Sequence, residues 1–180
     1  MSSGTLLHVF LPALAVVVLA VALRLRGRAL RDEFAWWWPG WRRLLVWMLG
    51  FALLMVAEGM LEPALGLAPV QPWGNRYGSA ERLVRLGGII LVAPAAEELI
   101  FRGVLFTRLD ETRLGIWGTV GVTAVLFAAL HLQYGWVEML FVLADALYFG
   151  TARGLTGTSI VPLACHVLGN TYAALERVLG

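Results

Sequence analysis

The residues able to do chemistry are few, and most sit inside apolar stretches. Ala93-Pro94-Ala95-Ala96-Glu97-Glu98-Leu99-Ile100-Phe101-Arg102-Gly103 carries two adjacent carboxylates and a guanidinium. Glu98 and Arg102 are four residues apart, so on a helix they share a face and can pair. Pairing offsets part of the cost of burying both charges. Glu97 points about 100° away around the helix and has no local cation. Adjacent carboxylates resist double ionisation, and a glutamate that can hold and release a proton suits a general base. Further on stand Phe127-Ala128-Ala129-Leu130-His131 and His166-Val167-Leu168-Gly169-Asn170. His166 and Asn170 again share a helix face. Three helices thus offer a carboxylate pair, an imidazole, and an imidazole with an amide. Together they can surround one water. Glu97 would take its proton, while His131, His166 and the Asn170 amide hold the water and stabilise the resulting oxyanion. Each group alone also has a structural reading: a hydrogen-bonded packing histidine, or a Glu–Arg staple between helices.

The elements that must position these groups are membrane helices. The 180-residue chain is 59% hydrophobic and 14% charged, against about 45–50% apolar and about 25% charged in soluble domains. A bilayer is the simpler solvent for it. We expect an all-α polytopic helix bundle forming a single integral membrane domain, 1–180. Apolar runs suggest about six transmembrane helices near 5–24, 43–62, 83–106, 114–132, 135–152 and 157–178. The short links between the last four suit antiparallel neighbours. No repeat, low-complexity tract, soluble domain or long linker is evident.

Arg24, Arg26, Arg28, Arg31, Arg42 and Arg43 cluster between the first two spans, which makes that loop cytoplasmic and both termini external. The same arginines follow the first span rather than preceding it, the reverse of a cleaved signal peptide. Trp36, Trp37, Trp38, Trp41 and Trp47 fit an aromatic belt at the inner interface. The outer loop 63–82, with Pro63, Pro69 and Pro72, reads as irregular. A net charge of only +2, with most Arg beside apolar spans, argues against a nucleic-acid partner. The single Cys165 excludes an internal disulfide and reads as a packing residue.

Taken in order, Glu97-Glu98 with Arg102, Phe127 with His131, and His166 with Asn170 resemble the motifs of the CAAX-protease and bacteriocin-processing (CPBP) family, which includes the type II CAAX prenyl endopeptidases. The resemblance covers about residues 83–175, the expected catalytic core. It implies an intramembrane endopeptidase acting on a membrane-associated peptide or protein. By that likeness Glu97 activates water, His131 binds the water or the oxyanion, His166 and Asn170 complete the site, and Glu98 and Arg102 orient it. The family has been read both as zinc-dependent and as glutamate-dependent. The chain lacks His-Glu-x-x-His, which favours the metal-free form with no cofactor. Glu97, His131 and His166 would be the ligands if zinc were used.

The chain looks like a small bacterial or archaeal member in the cell's inner membrane. A leader peptide, a bacteriocin or a C-terminal sorting tag therefore stands beside a prenylated CAAX protein as substrate. Readings from other classes are a proton-coupled transporter or channel, whose materials are also buried ionisable groups, and a non-catalytic scaffold or self-immunity protein. Glu138 and Asp145, seven apart, share a face of the fifth span and can line a cavity. Glu58 and His8 are expected near the outer interface. One tension stands out: Glu97 and His166 fall mid-span but His131 near a span end, a depth difference of about 12 Å.

Overall fold

In the computed structural model, which describes residues 3–68 and 71–179, the chain is helical and contains no strand among those residues. After α1 (Ser3–Leu25) and the short α2 (Leu30–Glu33) comes α3 (Trp41–Leu61), closed by a 3₁₀ turn at Pro63–Leu65. A continuous helical rod then runs from 79 to 110. It consists of α4 (Ser79–Gly87), a π segment (Gly88–Val92), α5 (Ala93–Glu98), a second π segment (Leu99–Leu105) and α6 (Phe106–Asp110). Three further helices follow: α7 (Gly115–Ala129), α8 (Trp136–Thr156) and α9 (Ile160–Leu179). The His8 side chain and Pro69 lie outside the described residues.

Local chemistry sets several of these boundaries. α8 stops where Gly157 takes the left-handed conformation at φ 73° and donates its N–H to Arg153 O. Pro162 falls in the first turn of α9, where its missing N–H costs little. The rod departs from the expected span 83–106. It is longer, and π geometry brackets the short α5 that carries Glu97 and Glu98. Such insertions are frequent at functional sites.

α7 and α8 pack along one another, and α9 crosses α3, α8, α5 and the first π segment. α1 packs on α4, α5 and that π segment. One apolar cluster joins Phe51, Phe149, Val161 and Cys165, so the cysteine is a packing residue as expected. Another joins Phe101, Ala124, Phe127 and Ala146. Close approach uses glycine. A Cβ on Gly103 would lie 3.1 Å from the Phe34 Cα, so the loop before α3 presses directly on the second π segment.

The surface is greasy. Leu45, Val46, Leu49, Leu53, Val56 and Met60 of α3 are exposed, as are Leu11, Leu14 and Val18 of α1. A soluble monomer rarely shows such continuous apolar area. Among the described residues, Trp41–Leu65 is the one stretch long and apolar enough to cross a membrane by length and composition. Val9–Leu25 and Gly115–Ala129 are apolar but shorter. Trp36, Trp37, Trp38 and Trp41 are exposed in line with a belt. Trp47 packs edge-on against Tyr148 with ring centroids 5.3 Å apart.

Candidate active site

Glu98 and Arg102 are fully buried. Arg102 Nη1 donates to Glu98 Oε1 at 3.0 Å, as the four-residue spacing predicts. Its Nη2 donates to Ala146 O at 2.9 Å, tying the rod to α8. The guanidinium also lies over two rings, 4.6 Å from the Phe127 centroid and 5.4 Å from that of Phe149. Cation–π contact and a carboxylate thus replace the water this charge gives up.

The same Glu98 Oε1 stands 2.9 Å from His166 Nδ1. A carboxylate oxygen already accepting from Arg102 must accept here too, so His166 carries a proton on Nδ1. Its ring is fixed further by stacking on Phe149 at 5.1 Å. In the neutral ring Nε2 is then the basic atom, and it lies 3.6 Å from Glu97 Oε2. Sequence spacing gives Glu97 no local partner; the fold supplies one from α9. A 3.6 Å gap is too long for a good direct hydrogen bond, but one water can touch both atoms at once. The Glu97 side chain is 30% exposed.

His131 does not sit within α7. The helix ends at Ala129, and His131 lies in the following turn, its Nδ1 donating to Phe127 O at 3.0 Å. A carbonyl can only accept, so this ring too is protonated on Nδ1 and offers Nε2. From that turn the two imidazoles flank one phenyl ring: Phe127 is 4.8 Å from the His131 ring and 5.9 Å from the His166 ring. His131 also lies within electrostatic reach of Glu97. Asn170 lies one turn beyond His166, yet its Nδ2 donates to Ile89 O at 2.8 Å. Part of the amide expected to hold the oxyanion is therefore committed to the rod.

His131, His166 and Asn170 line a cavity of about 300 Å³; Glu97 does not line it and meets it through His166. The wall is acidic. Glu138 and Asp145 line it, as their shared face allows, with Glu62 and Glu176. Glu58 lines it as well, from the second half of α3. That contribution from α3 has no signal in local spacing. Arg177 is the arginine on the wall. No three His, Cys, Asp or Glu side chains among the described residues gather in a way that holds a metal ion.

The family model described as Type II CAAX prenyl endopeptidase Rce1-like matches residues 79–172, more than half of the chain. The chain belongs to this family. The match opens at the start of α4 and includes all six site residues. The Rce1-like family is membrane-embedded. Among curated proteins, the chain is 34% identical over 90 residues to the uncharacterized protein YpbD of Bacillus subtilis strain 168, covering 49% of this chain and 43% of that one. It is 27% identical over 139 residues to an uncharacterized 24.3 kDa protein of Escherichia coli, covering 72% of this chain and 62% of that one. The matched stretches thus span less than two thirds of either relative. No solved structure matches the chain.

Proposed function

We propose that this family member is a multi-pass intramembrane endopeptidase that hydrolyses a peptide bond of a membrane-associated substrate without a metal. In this reading 1–180 is one domain with six spans, the arginine-rich loop faces the cytoplasm, and 83–175 is the catalytic core in a prokaryotic inner membrane. The observation that carries it is the geometry at His166: Nδ1 is held by buried Glu98, which turns Nε2 toward Glu97 across a gap one water can bridge.

The steps balance. Glu97 takes a proton from that water as its oxygen bonds to the substrate carbonyl carbon, and the carbonyl π electrons move to oxygen. His131 in its protonated form donates Nε2–H to the oxyanion. As the C–N bond breaks, the proton held by Glu97 passes to the leaving amine. Glu98 and Arg102 orient His166. Carboxylates on the cavity wall favour a substrate segment that is neutral or basic over an acidic one.

Purified protein in lipid nanodiscs, given membrane-tethered peptides in water labelled with heavy oxygen, tests this reading. We expect a new carboxyl terminus carrying the label, formed equally well in a chelator. Loss of cleavage on chelation would reject the metal-free form, and cleavage without label would reject attack by water.

A second reading has one observation in its favour. Glu58 Oε1 and Asp145 Oδ1 are buried without hydrogen-bond partners among the described residues, as in a proton pathway. Proton-coupled flux in liposomes that survives Glu97→Ala would favour a transporter.

A further inference from the structure

Pro94 sits two residues past the end of the first π segment, and its position has a consequence for the backbone. Ala93 N–H bonds to Gly88 O, five residues back. In that register the partner of the Ile89 carbonyl is the N–H of residue 94, and proline has none. A carbonyl partly shielded from solvent and left without a donor is costly. The donor comes from another helix: Asn170 Nδ2, 2.8 Å from Ile89 O.

α9 therefore grips the rod at two points one turn apart on its own face. His166 holds Glu98 and Asn170 holds Ile89, with Pro94 and Glu97 between them on the rod. The register matters because each residue inserted into a helix turns everything beyond it by about 100°. That angle is the separation between neighbouring side chains. Reversion of the π segment to α geometry would put a neighbour where Glu98 now meets Arg102 and His166, and would carry Glu97 away from His166 Nε2.

We propose that Asn170 is a positioning residue: it supplies the hydrogen bond that Pro94 denies to Ile89 and so locks the register that aims the glutamate pair. This deepens the protease reading and rests on it for the catalytic consequence, but not for the structural one. The prediction is a specific coupling between positions 94 and 170. An alanine at 94 restores an N–H and gives Ile89 O, or its neighbour in α register, a backbone partner.

Wild type, Pro94→Ala, Asn170→Ala and the double variant, all full-length in nanodiscs, are compared by thermal unfolding without substrate. Their kcat and KM are then measured on a membrane-tethered peptide. Asn170→Ser, too short to reach Ile89, serves as the milder variant if alanine prevents folding. We expect the Asn170 change to lower both Tm and kcat, with kcat reduced at least tenfold and KM little altered. In the Pro94→Ala background both losses should shrink by more than half. Additive Tm effects would overturn the proposal. So would an equal kcat loss in both backgrounds, which would mark Asn170 as a direct donor to the reacting oxygen. Absence of cleavage by all four proteins would count against the protease reading, while the Tm coupling would still decide the role of Asn170.

Discussion

Two sets of buried charge meet in this bundle, and they are treated differently. Around Glu98, one carboxylate oxygen receives both Arg102 and His166, and aromatic rings enclose the cation. Glu98 Oε2 and Arg102 Nε have no partner of their own, but each side chain is paired through its other atoms; along the cavity wall, Glu58 and Asp145 bury an oxygen without a partner and make no ion pair among the described residues. Buried charges that are paired hold geometry, because losing either partner strands the other. Buried carboxylates that are unpaired cost stability and persist where a cavity gives them something to meet. In the proposed mechanism the first region holds the glutamate pair and the second lines the cavity beside it.

The largest effect that separates the two is at the pair itself. Glu98→Ala or Arg102→Ala should destabilise the protein by about 3–5 kcal/mol, by stranding a buried charge. The apolar double variant Glu98→Leu with Arg102→Met should lose less than the sum of the single changes. Thermal unfolding in nanodiscs measures both, and additive losses would mean the two groups do not act as a unit. Gly103→Val comes next. It forces a branched side chain against the Phe34 backbone and should cost about 1–3 kcal/mol in the same assay. A neutral result would show that the loop can move away from the second π segment.

The smallest effect is expected on the wall. Asp145→Asn keeps the shape and replaces a buried carboxyl whose Oδ1 has no partner among the described residues, and should raise stability by about 1 kcal/mol. A loss of several kcal/mol would show that Asp145 is paired after all and would erase the contrast between the regions. A sharper version uses substrates. Peptides with Lys or Arg beside the scissile bond should be cleaved faster than those with Asp or Glu, and Asp145→Asn should narrow the ratio.

Much of the site can be read along the chain because its motifs follow helical spacing. Glu98 with Arg102 requires only that two residues share a face, and so does the joint projection of His166 and Asn170 from α9. All-helical architecture likewise follows from apolar runs separated by short turns. What sequence could not show lies between helices or in the phase of one helix. Nothing local says that Glu97 meets His166, or that Glu58 turns into a cavity from α3. The π segments leave only an ambiguous trace, Gly87-Gly88 and Pro94, which equally suit a kink. His131 looks like a helix residue because the apolar run continues to Leu132, yet α7 ends at Ala129 and the turn delivers the ring to Phe127. Asn170 looks like a polar group pointing at substrate, because its real partner is a carbonyl orphaned by a proline far away in sequence.

In this mechanism Glu97 activates the water, and single-turnover cleavage by Glu97→Gln measures that role. The amide keeps the size and polarity of the side chain but cannot accept the proton. The rate on a membrane-tethered peptide should fall about a hundredfold to ten-thousandfold, with the unfolding temperature unchanged. Cleavage by the Gln variant at the wild-type rate would contradict the account.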